Sequence, residues 1–217
     1  MAIVVATKEP APNFLGIDKL TVTARRHDID VLICVNKIDL ASGNDIEAIY
    51  AGAGFDVIAC NGGDMPSANH EGGDILRDKL TDHITVFAGN SGVGKSSILN
   101  RILGDDALET GSISERNSRG KHTTRHSEII PLDGGGYVID TPGFSSFDID
   151  DMTAEELADY FPEFEPALGC CRFTGCSHIN TAGCKVIEML ECGEIHENRY
   201  NSYVQIYEGL KKIKPWM

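Results

Sequence analysis

The stretch Gly89-Asn90-Ser91-Gly92-Val93-Gly94-Lys95-Ser96 limits what this chain can fold into more than any other. A loop of the form GxxxxGK[ST] does its work only between a strand and a helix, because its glycines turn successive backbone N–H groups inward around phosphate oxygens. Both flanks are present. ITVFA (Ile84–Ala88) precedes the loop, and KSSILNRIL (Lys95–Leu103) follows it with helical spacing of its apolar residues. Residues Gly89 to Gly94 then cradle the phosphates and Lys95 brings a point charge to the β and γ oxygens. Ser96 offers a hydroxyl to Mg²⁺, with Ser97 completing the loop.

A phosphate loop of this kind requires a parallel sheet, and the rest of the chain supplies one. Short apolar runs at Ala2–Ala6, Val31–Val35, Val57–Cys60, Ile84–Ala88, Ser127–Leu132 and Tyr137–Asp140 read as six strands, several of them buried on both faces. Helical patterns at Leu15–Arg26, Asp45–Ala53, Asp74–Leu80 and Lys95–Leu103 interleave with them, and Gly134–Gly136 reads as a hairpin turn. The fold class that follows is a doubly wound α/β sheet with flanking helices. Past Phe147 the texture changes. DIDDMTAEELADYFPEF is acidic and helical in pattern, with Thr153 and Glu156 at capping-box spacing. A cysteine- and glycine-rich loop comes next. A last helix carries Tyr200, Val204, Tyr207 and Leu210 on one face. The expected division is residues 1–150 and 151–217.

Two further boxes belong with the phosphate loop. Asp140 ends a strand and opens Asp140-Thr-Pro-Gly143, where the carboxylate would serve Mg²⁺ and the Gly143 N–H would meet the γ-phosphate. Asn36-Lys37-Ile38-Asp39 follows the strand VLICV. The Asp39 carboxylate can accept from both N1–H and the amino group of guanine, and adenine offers neither. Hydrogen bonds to a charged group are worth roughly 1.5–3 kcal/mol each. Losing two of them gives selectivity of order 10⁴ for GTP over ATP. Asn36 braces this loop and the Lys37 stem covers the base. Ala59-Cys60-Asn61-Gly62 stands where a backbone N–H of Cys60 or Asn61 would reach the base oxygen, although the serine usual there is absent. Between Lys95 and Asp140, Thr123 and Thr124 form the only adjacent threonine pair. Thr124, nearer the next strand, is the expected second Mg²⁺ ligand of a switch loop, and His122 is a candidate for orienting water.

Seven cysteines are present in a chain without a secretory start, which argues against a disulfide framework. Five fall between Cys170 and Cys192. The spacing Cys171-x4-Cys176-x-His178-x5-Cys184 suits one tetrahedral Zn²⁺ with no open position, so the site reads as structural. Cys170 could compete with Cys171. Cys34, Cys60 and Cys192 read as packing residues.

A net charge of −14 argues against a general nucleic-acid coat. Local basic clusters remain, at Arg116–Arg125 and at Arg199, Lys211, Lys212 and Lys214. Each reads equally as ordinary surface charge. No apolar run reaches the ~18 residues of a membrane span, and the start has no signal-peptide pattern. A cytoplasmic location is therefore expected.

The order of the boxes is a cyclic shift. The base box comes first, then the phosphate loop, then the switches. On NKIDL, GNSGVGKSSILN, RGKHTTR, IDTPGFSSF and the Cys/His cluster, the chain resembles the circularly permuted GTPases. Within them it is similar to the ribosome small-subunit-dependent GTPase A family. The resemblance implies a permuted GTPase domain over residues 1–150 and a small, mainly helical zinc-binding domain over 151–217. It points to the same four zinc ligands. Its implied ligands are GTP/GDP, Mg²⁺ and one structural Zn²⁺. Its implied partner is the small ribosomal subunit with its rRNA, in late maturation. No membrane is involved and the chain is expected to be a monomer. Family members carry an N-terminal OB-fold domain, which is expected to be missing here because Met1 meets the first strand directly. Phe144 stands where many GTPases place a water-orienting Gln, so slow intrinsic turnover, raised by the subunit, is expected. The alternative is a nucleotide-gated rRNA-binding module in which hydrolysis is incidental.

Overall fold

The computed structural model describes residues 1–60, 71–103, 128–140, 149 and 152–213; of residues 71–74, 128 and 140 only the backbone is described. Six strands form one sheet: β1 (Ala2–Ala6), β2 (Leu32–Asn36), β3 (Asp56–Ala59), β4 (Ile84–Ala88), β5 (Glu128–Pro131) and β6 (Tyr137–Asp140). Their order is β3-β2-β1-β4-β6-β5. β1 runs parallel to β2 and β4, and β4 parallel to β6, while β5 returns antiparallel through the Gly134–Gly136 turn. Every residue of β1 is buried, as a central parallel strand requires.

The register positions the functional loops. β1 and β2 end level, with Ala6 opposite Asn36. β4 lies lower, with Ala2 opposite Phe87 and Ile3 opposite Ala88. The chain that leaves Ala88 therefore travels alongside the upper half of β1. Strand order reverses between β1 and β4, and in open parallel sheets a ligand site forms above such a reversal, at the carboxyl ends of the strands.

Six α-helices are described: α1 (Phe14–Arg26), α2 (Asn44–Gly52), α3 (Glu71–Leu80), α4 (Lys95–Leu103), α5 (Lys185–Glu191) and α6 (Glu197–Lys212). The Asn13 side chain caps α1 by accepting the Gly16 N–H at 3.1 Å. The acidic stretch expected as one helix forms two 3-10 segments instead, Leu157–Tyr160 and Pro162–Ala167. Half of the capping box is present, since the Thr153 N–H donates to Glu156 Oε2 at 2.9 Å. Pro162 and Pro166 lack the N–H groups that a longer α-helix would need.

The chain packs as two compact units, each drawn from separate segments. One holds Met1–Pro12, Leu32–Gly43 and Ile58–Ser145. Its core joins Val4 and Ala6 of β1 to Leu76 and Leu80 of α3 and Ile98, Leu99 and Ile102 of α4. Arg77 of α3 closes it by donating to the last carbonyls of α4, those of Arg101 and Ile102.

The other unit holds Asn13–Val31, Asn44–Val57 and Ser146–Met217. Its core gathers Val22, Leu157, Phe161, Phe164, Val186, Tyr203 and Ile206. At its centre the wholly buried Arg199 of α6 pairs with Glu163 at 2.6 Å and with Asp18 of α1 at 2.5 Å. Tyr50 donates its hydroxyl to Asp18 at 3.0 Å, and the Arg199 guanidinium lies over the rings of Phe161, Phe55 and Tyr50. Burial raises the Asp18 carboxyl above the ordinary carboxylate range, and the Arg199 charge opposes that rise. Arg199 is thus an internal clamp, so the C-terminal basic cluster read from the sequence loses this member.

Candidate functional site

The phosphate loop occupies the position that the register dictates. Gly89 has a φ of +137°, and a Cβ there would stand 2.4 Å from the Val4 carbonyl oxygen of β1. Gly94 has a φ of +97°, and a Cβ there would stand 2.2 Å from Asn36 Nδ2. Both glycines are required by conformation and by space together. Between them Gly92 and Ser91 are exposed, Asn90 is half-buried and Val93 is buried as the anchor of the loop. The Lys95 ammonium is held over the loop, donating to the carbonyls of Gly89 at 2.7 Å and Asn90 at 2.9 Å. Ser96 and Ser97 are half-buried in the first turn of α4.

The base box meets this loop directly. The buried Asn36 amide donates to the Val93 carbonyl at 2.8 Å, across 57 residues of sequence. Lys37 holds a left-handed φ of +61°, unusual outside glycine. Two contacts from the loop after β1 secure it. The Thr7 hydroxyl donates to the Lys37 carbonyl at 2.6 Å, and Lys37 Nζ donates to the Glu9 carbonyl at 2.5 Å. The Thr7 N–H also donates to the Asn36 carbonyl at 3.0 Å. This bend leaves Asp39 exposed, free to accept hydrogen bonds from outside. Sequence reading missed Thr7. The available signal was its place one residue past β1, level with the residue after β2.

Cys60 is buried, and its N–H donates to the Val35 carbonyl at 2.6 Å, so of the two N–H groups expected at the base oxygen this one is already engaged within the fold. Cys34 is buried too, and a hydrogen bond with Cys60, together with burial, pushes its thiol up. Asp140 ends β6, so its backbone stands at the same sheet edge as the phosphate loop; its side chain is not described. Asn61, Thr124 with Thr123 and His122, Gly143 and Phe144 lie outside the described residues.

The Cys/His residues form a separate centre. Cys171, Cys176, His178 and Cys184 bring one ligand atom each to within 4.8 Å of one another. A tetrahedral zinc with thiolate and imidazole ligands has S···S edges of about 3.8 Å and S···N edges of about 3.5 Å. The Cys171–Cys184 sulfurs are 3.8 Å apart, and His178 Nδ1 lies 3.5 Å and 3.4 Å from them. The donor set and its spacing therefore fit zinc. Backbone N–H groups of His178 and Lys185 point at the sulfurs of Cys176 and Cys171, which steadies thiolate charge. Tyr200 and Tyr203 of α6, unassigned in the sequence reading of the site, hold the loop by donating to the carbonyls of His178 and Ser177, each at 2.9 Å. Cys170 stands exposed outside the cluster, and Cys192, expected as packing, is exposed as well.

A family model described as RsgA GTPase matches residues 1–150. The small ribosomal subunit biogenesis GTPase RsgA of Ruminiclostridium cellulolyticum is 51% identical over 98% of this chain and 69% of its own length. That of Alkaliphilus metalliredigens is 44% identical over 97% of this chain and 71% of its own. Among solved structures, YjeQ from Thermotoga maritima superposes with a TM-score of 0.78 at 33% identity, covering 98% of this chain and 71% of that one. YloQ, described as a circularly permuted GTPase, gives 0.75 at 30%, covering 100% and 70%. With its base box bonded to its phosphate loop in permuted order, this chain belongs to the RsgA GTPase family.

Proposed function

We propose that this chain is a GTP-hydrolysing assembly factor acting late in maturation of the small ribosomal subunit, with slow intrinsic turnover that the subunit raises. The Asn36–Val93 hydrogen bond carries the nucleotide half of this reading, because it joins a guanine-reading box to a phosphate loop. The printed names of the relatives support the ribosomal half.

In this reading Asp39 selects guanine and the N–H groups of Gly89–Gly94 hold the phosphates, with the Asn61 N–H near the base, since that of Cys60 is taken by Val35. Water attacks the γ-phosphorus in line with the leaving β-phosphate oxygen, and Lys95 stabilises the charge that grows on the β and γ oxygens. Ser96 and Thr124 would hold Mg²⁺, with Asp140 behind it. The ion supplies charge neutralisation at the phosphates. Gly143 would meet the γ-phosphate through its N–H. Phe144 has no group to orient water, which accounts for slow turnover. Residues 1–150 carry this chemistry. Residues 151–217 hold one structural zinc at Cys171, Cys176, His178 and Cys184, in the unit they form with α1 and α2. The chain acts as a cytoplasmic monomer on the subunit and its rRNA. Among the described residues no helix is long and apolar enough to cross a membrane.

GTP turnover measured with and without purified small subunits tests the reading. Stimulation of tenfold or more is expected; equal rates in the two samples would overturn it.

A further inference from the structure

The metal loop presents at its tip an aromatic ring that its own fold does not bury. Phe173 is 52% exposed, while Phe161 and Phe164 of the same unit are 1% and 0% exposed. Single exposed apolar residues are common and mean little alone. Here the Arg172 guanidinium lies over the ring, 5.3 Å from its centroid, and is itself exposed. Among the described residues no carboxylate pairs with Arg172, in a chain whose net charge is −14.

The pair is also rigidly mounted. Arg172 follows one metal-ligating residue, Cys171, and its N–H donates at 2.9 Å to the carbonyl of Gly183, which precedes another, Cys184. Thr174, Gly175, Ala182 and Gly183 around it are small and exposed, so a flat molecule can approach the ring without displacing bulk. A protruding ring backed by a planar cation suits the face of a nucleobase and the phosphate beside it. Unpaired bases in RNA loops are held on such aromatic and guanidinium planes, with zinc knuckles among the modules that do so. A protein partner would more commonly receive its aromatic anchor in a pocket, and this ring is exposed at the surface with a guanidinium over one face.

We propose that Arg172 and Phe173 form a stacking platform for an unpaired base of ribosomal RNA. The proposal rests on the small-subunit reading above and gives that interaction a contact point. Stacking of one base changes affinity by roughly 5- to 100-fold. The test is co-sedimentation of the zinc-loaded full chain, with a non-hydrolysable GTP analogue, against purified small subunits. Phe173→Ala is expected to bind 5- to 100-fold more weakly, with zinc content and basal GTP turnover unchanged. Phe173→Tyr, which keeps the ring, is expected to stay within threefold of the unaltered chain. A photo-crosslinking phenylalanine at position 173 is expected to label rRNA. If the unaltered chain fails to sediment with subunits, the small-subunit reading itself falls. If it sediments and Phe173→Ala sediments equally, the platform alone is overturned. Crosslinks confined to ribosomal protein overturn it in favour of a protein contact.

Discussion

Asn36 shows how one side chain links two boxes that the sequence holds far apart. Its amide, 1% exposed, donates to the carbonyl of Val93, itself in a buried residue. Removing the donor leaves that carbonyl unpaired, at a cost of about 1–3 kcal/mol. Asn36→Ala is therefore expected to weaken GTP and GDP binding about tenfold, with ATP still rejected because Asp39 is untouched. Titration with a fluorescent guanine nucleotide reads this directly, and unchanged affinity would remove Asn36 from the role assigned here. The residues of the proposed base box and phosphate loop could be picked out by type and spacing, because those follow from local chemistry. That the Asn36 amide would bond the phosphate loop was not legible. It depends on β2 ending level with β1 while β4 lies lower, a long-range register that local patterning does not encode. Thr7 escaped notice for the same reason, since its partner Lys37 is 30 residues away.

Arg199 carries the corresponding lesson for secondary elements. Along α6 the apolar positions were readable from their spacing, and a charged residue among them read as surface. The fold instead buries it between Asp18 and Glu163 and three aromatic rings. Breaking a buried pair strands the remaining charges at about 3–5 kcal/mol. Arg199→Ala is expected to lower the melting temperature by roughly 10 °C, seen by circular dichroism. Arg199→Lys should recover only part of this, because an ammonium cannot reproduce the forked contact with Glu163. The neighbouring 3-10 segments were misread as one helix because the capping signal at Thr153 is real while prolines downstream break the ladder. The metal loop was legible from ligand spacing alone, but its fastening by Tyr200 and Tyr203 to α6 was not. Chelation is expected to perturb these tyrosines. Loss of near-UV tyrosine signal should accompany zinc release, and a spectrum unaltered by chelator would show that metal does not hold the loop.

The two compact units do not follow the sequence. The early segments that carry α1 and α2 join the C-terminal half: Val22 of α1 shares a core with Phe161, Tyr203 and Ile206, and Asp18 of α1 pairs with Arg199 of α6. The family model nevertheless stops at residue 150. A chain cut there keeps every residue proposed to bind nucleotide and loses the partners of α1 and α2. It would expose Val22 and Leu15, which pack against the C-terminal core in the full chain. Asp18 and Tyr50 would lose the Arg199 cation. Domains are stable by only about 5–15 kcal/mol, and an exposed apolar helix face plus an unpaired buried carboxylate is of that order. Residues 1–150 alone are therefore expected not to fold cooperatively, giving a broad melt and GTP binding at least a hundredfold weaker than the full chain. A sharp melt with full affinity would show that the two halves fold independently. In the expected case the half that carries the Cys/His cluster does more than follow residue 150 in sequence. It completes the packing of α1 and α2, which lie, in the chain, on both sides of the Asn36–Asp39 box, so the Cys/His cluster belongs to the same unit as those helices.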